Sequence, residues 1–141
     1  MKKTAVVFWS GTGNTEEMAG FVKEGVLSAG GEVSIFTAMQ FSPEKMDEFD
    51  SVAFGCPSMG AEVLEESEFE PMFQRCIPKL PGKPLALFGS YGWGDGEWMR
   101  NWEEYCVEKG AHLVRESVIC QEQPDRSAQT ALLDMGKALA E

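Results

Sequence analysis

Thr4-Ala-Val-Val-Phe-Trp-Ser-Gly-Thr-Gly-Asn-Thr15 decides the fold. Its first half, Thr4 to Trp9, is a near-continuous apolar run with β-branched and aromatic members, which reads as a strand buried on both faces, as in a parallel sheet. Its second half places three hydroxyls (Ser10, Thr12, Thr15), two glycines (Gly11, Gly13) and one amide (Asn14) just ahead of a helical pattern. A phosphate fits such a turn. Glycines let the backbone fold around the anion, the first helical N–H groups and the hydroxyls donate to it, and the helix dipole favours its charge. Nothing between Lys3 and Lys23 is basic, so every donor is uncharged. The Walker A pattern needs a Lys before the Ser or Thr, and the dinucleotide fingerprint needs a third Gly where Glu16 stands, so both are excluded.

Beyond this loop, Met18, Val22, Val26 and Ala29 recur at helical spacing, with Asn14 and Glu17 expected to cap the start and Gly30-Gly31 to stop the helix. Val33 to Thr37 and Val52 to Gly55 read as short strands, joined through a Pro43-containing stretch with room for one helical turn. Phe69, Met72, Phe73, Cys76, Ile77 and Leu80 mark one face of a helix ended by Pro81-Gly82. Leu85 to Gly89 is the next strand, and Trp98, Met99, Trp102, Tyr105 and Cys106 line a helix stopped by Gly110. A strand around Leu113 to Ile119 and a last helix after Pro124-Asp125, with Leu132, Met135 and Leu139 inward, complete the pattern. This alternation implies right-handed β-α-β crossovers and a doubly wound α/β fold with five parallel strands. In such a sheet ligands sit beyond the carboxyl ends of the strands, which singles out the loops after Trp9, Gly55 and Gly89.

A chain of 141 residues, 43% hydrophobic, is expected to form one domain over residues 1–141. No apolar run approaches a membrane span, and the short run after Lys2-Lys3 lacks the features of a signal peptide, so the expected location is the cytoplasm. Cys56, Cys76, Cys106 and Cys120 have no metal-binding spacing and read as reduced thiols near the core. The net charge of −11 argues against nucleic acid and for steering toward a basic partner.

The phosphate-type loop Ser10-Gly-Thr-Gly-Asn-Thr15, with Gly55-Cys-Pro-Ser-Met-Gly-Ala-Glu62 and Gly89-Ser-Tyr-Gly-Trp-Gly-Asp-Gly96, resembles the flavin-binding loops of short-chain flavodoxins from anaerobic bacteria. The resemblance runs essentially end to end. It implies a three-layer α/β/α sandwich with strand order 2-1-3-4-5, a noncovalently bound FMN and a low-potential one-electron carrier. By the match, Ser10, Thr12, Asn14 and Thr15 bind phosphate through side chains, and Gly11 and Gly13 do so through backbone N–H groups. Ser90 holds phosphate or ribityl. Pro57, Ser58, Met59, Gly60, Ala61 and Glu62 form one ring loop, and Tyr91, Gly92, Trp93 and Gly94 the other. Glu62 would accept from flavin N3, and the backbone at Gly92 and Gly94 would approach the N1 and O2 edge.

Trp93 between two glycines and Met59 in its loop are the candidates for a ring clamp, because a flat electron-poor ring favours an aromatic partner on one face and apolar contact on the other. Pro57 departs from relatives with Ser there, having neither N–H nor hydroxyl. In the family the peptide after Gly60 flips on reduction to offer its carbonyl to flavin N5. Ala61 is expected to favour a turn with the positive φ on Gly60.

Eight acids (Asp47, Glu48, Asp50, Glu62, Glu65, Glu66, Glu68, Glu70) lie between Lys45 and Arg75, and Asp95 and Glu97 flank the other ring loop. Together they are expected to form an acidic rim that lowers the potential and meets basic docking faces of redox partner enzymes, the chain acting as a monomer. The alternative is an FMN-dependent NAD(P)H:quinone reductase or a metalloenzyme-activating flavoprotein of the same fold.

Overall fold

In a computed structural model that describes residues 2–141, the apolar run at the start forms the middle of a parallel sheet. Strand β1 (Lys3–Phe8) pairs on one side with β2 (Glu32–Thr37) and on the other with β3 (Ser51–Gly55). Strand β4 (Pro84–Tyr91) follows β3, and β5 (His112–Leu113) lies beyond β4, which gives the order 2-1-3-4-5. β3 and nearly all of β1 and β4 are buried, which explains why they read as continuous apolar runs. Edge strand β2 is exposed except at Val33 and Phe36, which are half-buried.

Two hydrophobic layers sandwich the sheet. On one face helix α1 (Asn14–Ser28) sets Met18, Val22 and Val26 against Leu132, Met135 and Leu139 of α5 (Arg126–Leu139), over Val6, Ala53, Ala86 and Phe88. On the other face α2 (Pro43–Met46), α3 (Phe69–Cys76) and α4 (Glu97–Glu108) cover Ala5, Val7, Phe54 and Leu87. Phe54 there meets Phe41, Phe69 and Phe73 edge-on, an arrangement favoured by the ring quadrupoles.

Several expectations change in detail. The last strand is two pieces, β5 (His112–Leu113) against the first half of β4 and β6 (Val118–Gln121) against its second half. Between them Ser117 is drawn toward α4, its Oγ donating to the Glu103 carboxylate at 2.6 Å. Helix α3 stops at Cys76, and a 3-10 turn over Ile77–Lys79 accommodates Pro78. The Pro43 stretch holds a 3-10 turn, Ala38–Gln40, as well as α2. Because the sheet is parallel, β1, β3, β4 and β6 all deliver their following loops to one end.

Candidate functional site

Ser10 organises the first loop. Its Oγ accepts from the backbone N–H of Gly13 at 3.1 Å and of Glu16 at 3.3 Å. A hydroxyl has two acceptor sites and one hydrogen, so both acceptor sites are spent inward and the hydrogen is left to donate outward. Asn14 does not cap α1 as expected: it is the first helical residue, after Gly13 at φ 101°. The first-turn donor at Glu16 is instead satisfied by Ser10. Asn14 is thereby free to face the cleft.

The loop after β3 closes as a small hairpin. Met59 and Val63 exchange both backbone hydrogen bonds, at 2.9 and 3.0 Å, around Gly60, Ala61 and Glu62. The positive φ falls on Gly60 (48°) and not on Ala61, as expected, but Glu62 is also left-handed at 56°. That second position was not foreseen, since a glutamate does not advertise it. The conformation sends the Glu62 carboxylate across to the other ring loop, where Oε1 accepts from Glu97 N at 3.1 Å. A β-carbon on Gly94 would stand 2.6 Å from its carboxyl carbon, so a side chain at that position would displace it.

The loop after β4 is tied to the one after β6. Glu122 N donates to Tyr91 O at 2.9 Å, Gln121 Nε2 donates to Gly92 O at 3.2 Å, and Ser90 Oγ donates to Glu122 O at 3.0 Å. Trp93 is 63% exposed, whereas Trp98 and Trp102 are core residues at 2% and 3%.

A cleft of about 240 Å³ joins these parts. From the first loop it is lined by Trp9, Ser10, Gly11, Thr12, Asn14 and Thr15; from the second by Pro57, Ser58 and Met59; from the third by Ser90, Tyr91 and Gly92. Gly13 turns its N–H inward to Ser10, and Gly60, Ala61, Glu62, Trp93 and Gly94 lie outside this lining. Glu62 lines a neighbouring groove between α3 and α4. Two lining residues escaped the sequence reading. Trp9 was assigned to the strand, yet it is half-buried beyond the end of β1 and anchored by Nε1 donating to Glu68 Oε1 at 2.9 Å. Glu122 follows β6, whose carboxyl end opens onto the same cleft as those of β1, β3 and β4.

The acids divide by role. Glu65 does not belong to an exposed rim: it is 5% exposed, and its carboxylate accepts from Ser67 N, Glu68 N and Phe69 N at 2.8 Å each and from Ser67 Oγ. Burial raises its pKa, but the hydrogen bonds from Ser67, Phe69 and Glu68 outweigh this and hold it below the usual carboxylate range. Asp47 pairs with Lys79 at 2.8 Å and Asp95 with Arg100 at 3.1 Å. Glu66 and Glu97 are exposed beside the ring loops, and Glu62, Glu68 and Glu70 are half-buried. All four thiols are free and buried.

The uncharged donors of the first loop suit a phosphate, and the two remaining loops suit a flat ring. The flavodoxin family model matches residues 6–136. The chain belongs to the flavodoxin family. It is 43% identical over 135 residues to a flavodoxin of Clostridium beijerinckii, covering 96% of this chain and 97% of that protein. Identity to the Megasphaera elsdenii flavodoxin is 41% over 138 residues, with 96% of each covered. The solution structure of two-electron reduced Megasphaera elsdenii flavodoxin superposes with a TM-score of 0.90 at 40% identity, over 97% of this chain and 98% of that one. Flavodoxins bind FMN and are electron-transfer proteins that work with redox partners. In this chain the first loop and the loops after β3 and β4 converge on one cleft.

Proposed function

We propose that Ser10, Thr12, Asn14 and Thr15 hold the phosphate of FMN, assisted by backbone N–H groups of the Gly11 turn and the start of α1. Met59 and Trp93 hold the ring faces. Gly60, Ala61, Glu62, Tyr91, Gly92 and Gly94 line its edges, and Pro57, Ser58 and Ser90 wall the cleft between phosphate and ring. Bound there, FMN supplies a group that takes up and releases electrons one at a time. The protein's part is positional and electrostatic. The Ser10 hydrogen is pre-aimed by its two inward bonds. Gly60, already at positive φ, can rotate its following peptide to present a carbonyl at little cost. Glu62 supplies an acceptor held at the hairpin tip.

The observation that carries this reading is the cleft itself, in which the hydroxyl-rich loop meets both ring loops with no basic residue among its walls. Titration of the apoprotein with FMN and with riboflavin tests it. Thr12→Ala should weaken FMN by about tenfold, the size of one hydrogen bond to a charged group, and leave riboflavin unchanged. An equal loss for both ligands would sink the phosphate assignment.

The partners are redox enzymes with basic faces, which dock on Glu62, Glu66, Glu68, Glu70 and Glu97 around the ring loops. Electron transfer to such a partner should then slow as salt rises. The carrier acts as a monomer in the cytoplasm, a compartment that keeps its four thiols reduced.

A further inference from the structure

Trp9 is a strut with both ends occupied. At one end Nε1 donates to Glu68 Oε1 at 2.9 Å. At the other end the six-membered ring closes on the hydroxyl-rich loop: a β-carbon on Gly11 would lie 3.1 Å from Cη2 and 3.3 Å from Cζ3. Both distances are tighter than ordinary van der Waals contact, so glycine is what lets the turn rest on the ring. The backbone of Trp9 is fixed as well, its N–H donating to Gly55 O at 3.0 Å beyond the end of β1.

Glu68 is no free surface acid. It is half-buried immediately ahead of α3, its N–H donates to Glu65 Oε1 at 2.8 Å, and its carbonyl accepts from Met72 N at 3.4 Å. Glu65 in turn is clamped by the backbone donors of Ser67 and Phe69. A continuous chain of contacts therefore runs from the buried Glu65 carboxylate through Glu68 and the Trp9 indole to the Gly11 turn. Charge explains why an indole forms the last link. A carboxylate set against the Gly11 turn would repel an anion held there by uncharged donors, whereas Trp9 lines the cleft and Glu68 does not. The indole transmits the hold of the acid without its charge.

We propose that Trp9 is a positioning residue for the phosphate loop, set in place by Glu68, so that an acid of the segment before α3 governs phosphate affinity without touching the ligand. This rests on the FMN reading above. The indole holds the Gly11 turn where its N–H groups and Thr12 reach an anion, and the Glu68 carboxylate keeps the indole there.

Apoprotein is titrated with FMN, followed by flavin fluorescence, and with inorganic phosphate as the competing ligand. Glu68→Ala removes the acceptor and should weaken FMN and phosphate by the same factor, about tenfold. Glu68→Gln loses the charge but keeps an acceptor oxygen, and should stay within about threefold of wild type. Trp9→Phe keeps an aromatic ring without the N–H and should match Glu68→Ala, which keeps the proposal testable if the alanine variant fails to fold. The double variant should bind no more weakly than Trp9→Phe alone, because the two residues act through one contact. Loss of FMN affinity with phosphate unchanged would place Trp9 against another part of the flavin. Equal losses in Glu68→Ala and Glu68→Gln would reduce Glu68 to its charge, and additive losses would separate the two residues. Each of these results overturns the proposal, as does no change. Failure of the wild-type apoprotein to bind FMN or phosphate would instead overturn the cofactor reading itself.

Discussion

Gly25 and Gly136 meet where α1 crosses α5. A β-carbon on Gly25 would lie 2.2 Å from Leu133 O, and one on Gly136 would lie 2.2 Å from Val22 O. The two helices touch backbone to backbone at this point, and the contact fixes how closely one layer of the sandwich packs.

Gly25→Ala is therefore expected to destabilise the protein. Alanine raises helix propensity by about 1 kcal/mol over glycine, but overpacking backbone against backbone costs about 1–3 kcal/mol or more, and the second effect wins. Gly20, in the same helix with nothing within 4 Å of its would-be β-carbon, is the control. Gly20→Ala should raise the denaturant midpoint and Gly25→Ala should lower it. If both rise, the crossing is looser than described.

The carboxylate of Glu65 sets an acid limit on stability. Its folded pKa lies below the unfolded value, so its contribution is complete above the unfolded carboxylate range and disappears as pH falls through the lowered folded value. Glu65→Gln leaves backbone donors of Glu68 and Phe69 facing a poorer acceptor and should cost about 1–3 kcal/mol at pH 7. Denaturation series from pH 7 down to pH 3 should show the wild-type advantage shrinking toward acid. An advantage that grows on acidification would reverse the sign of this account.

Much of this was legible in the chain, and the exceptions share a cause. Thr4 to Trp9 and Leu85 to Gly89 read as buried parallel strands because their burial is encoded in unbroken apolar runs. The break between β5 and β6 was not, because Ser117 is drawn aside by Glu103 from a different helix. Asn14 has the chemistry of a cap, yet Ser10 takes that work through a loop geometry no spacing rule encodes. Glu65 looked like one more surface acid in a run of them; only the turn over Ser67 to Phe69 folds its carboxylate inward. Glu122 and Glu62 were illegible as turn residues because neither type favours positive φ, and tertiary contacts hold them there.

The thiols should be silent in the native state. Burial pushes Cys76 and Cys120 to about 11 and Cys106 to about 12, and Cys56 is raised further still. At pH 8 the thiolate fraction is then roughly one in a thousand or less, and the sulfurs are covered as well. A disulfide reagent should titrate no fast thiol in the folded protein and four after addition of guanidinium chloride. One rapidly reacting thiol in the folded protein would contradict the burial described for it.

Trp93 and Trp98 should separate affinity from stability. Trp98 is 2% exposed, its Nε1 donates to Cys56 O at 3.2 Å, and its ring lies 5.7 Å from that of Tyr91. Replacing it by Phe leaves a buried carbonyl without its donor and a gap in the layer beneath the loop, which should cost about 1–3 kcal/mol of folding stability. Trp93, by contrast, is 63% exposed. Trp93→Ala should leave the apoprotein's denaturant midpoint within experimental scatter while weakening FMN by about 1–2 kcal/mol, the worth of one aromatic face on a flat ring. Trp93→Phe should recover most of that loss, because it restores a face though not the full area. If Trp93→Ala lowers the stability of the apoprotein as much as it lowers affinity, the ring is part of the loop's own packing and not a surface kept for the flavin.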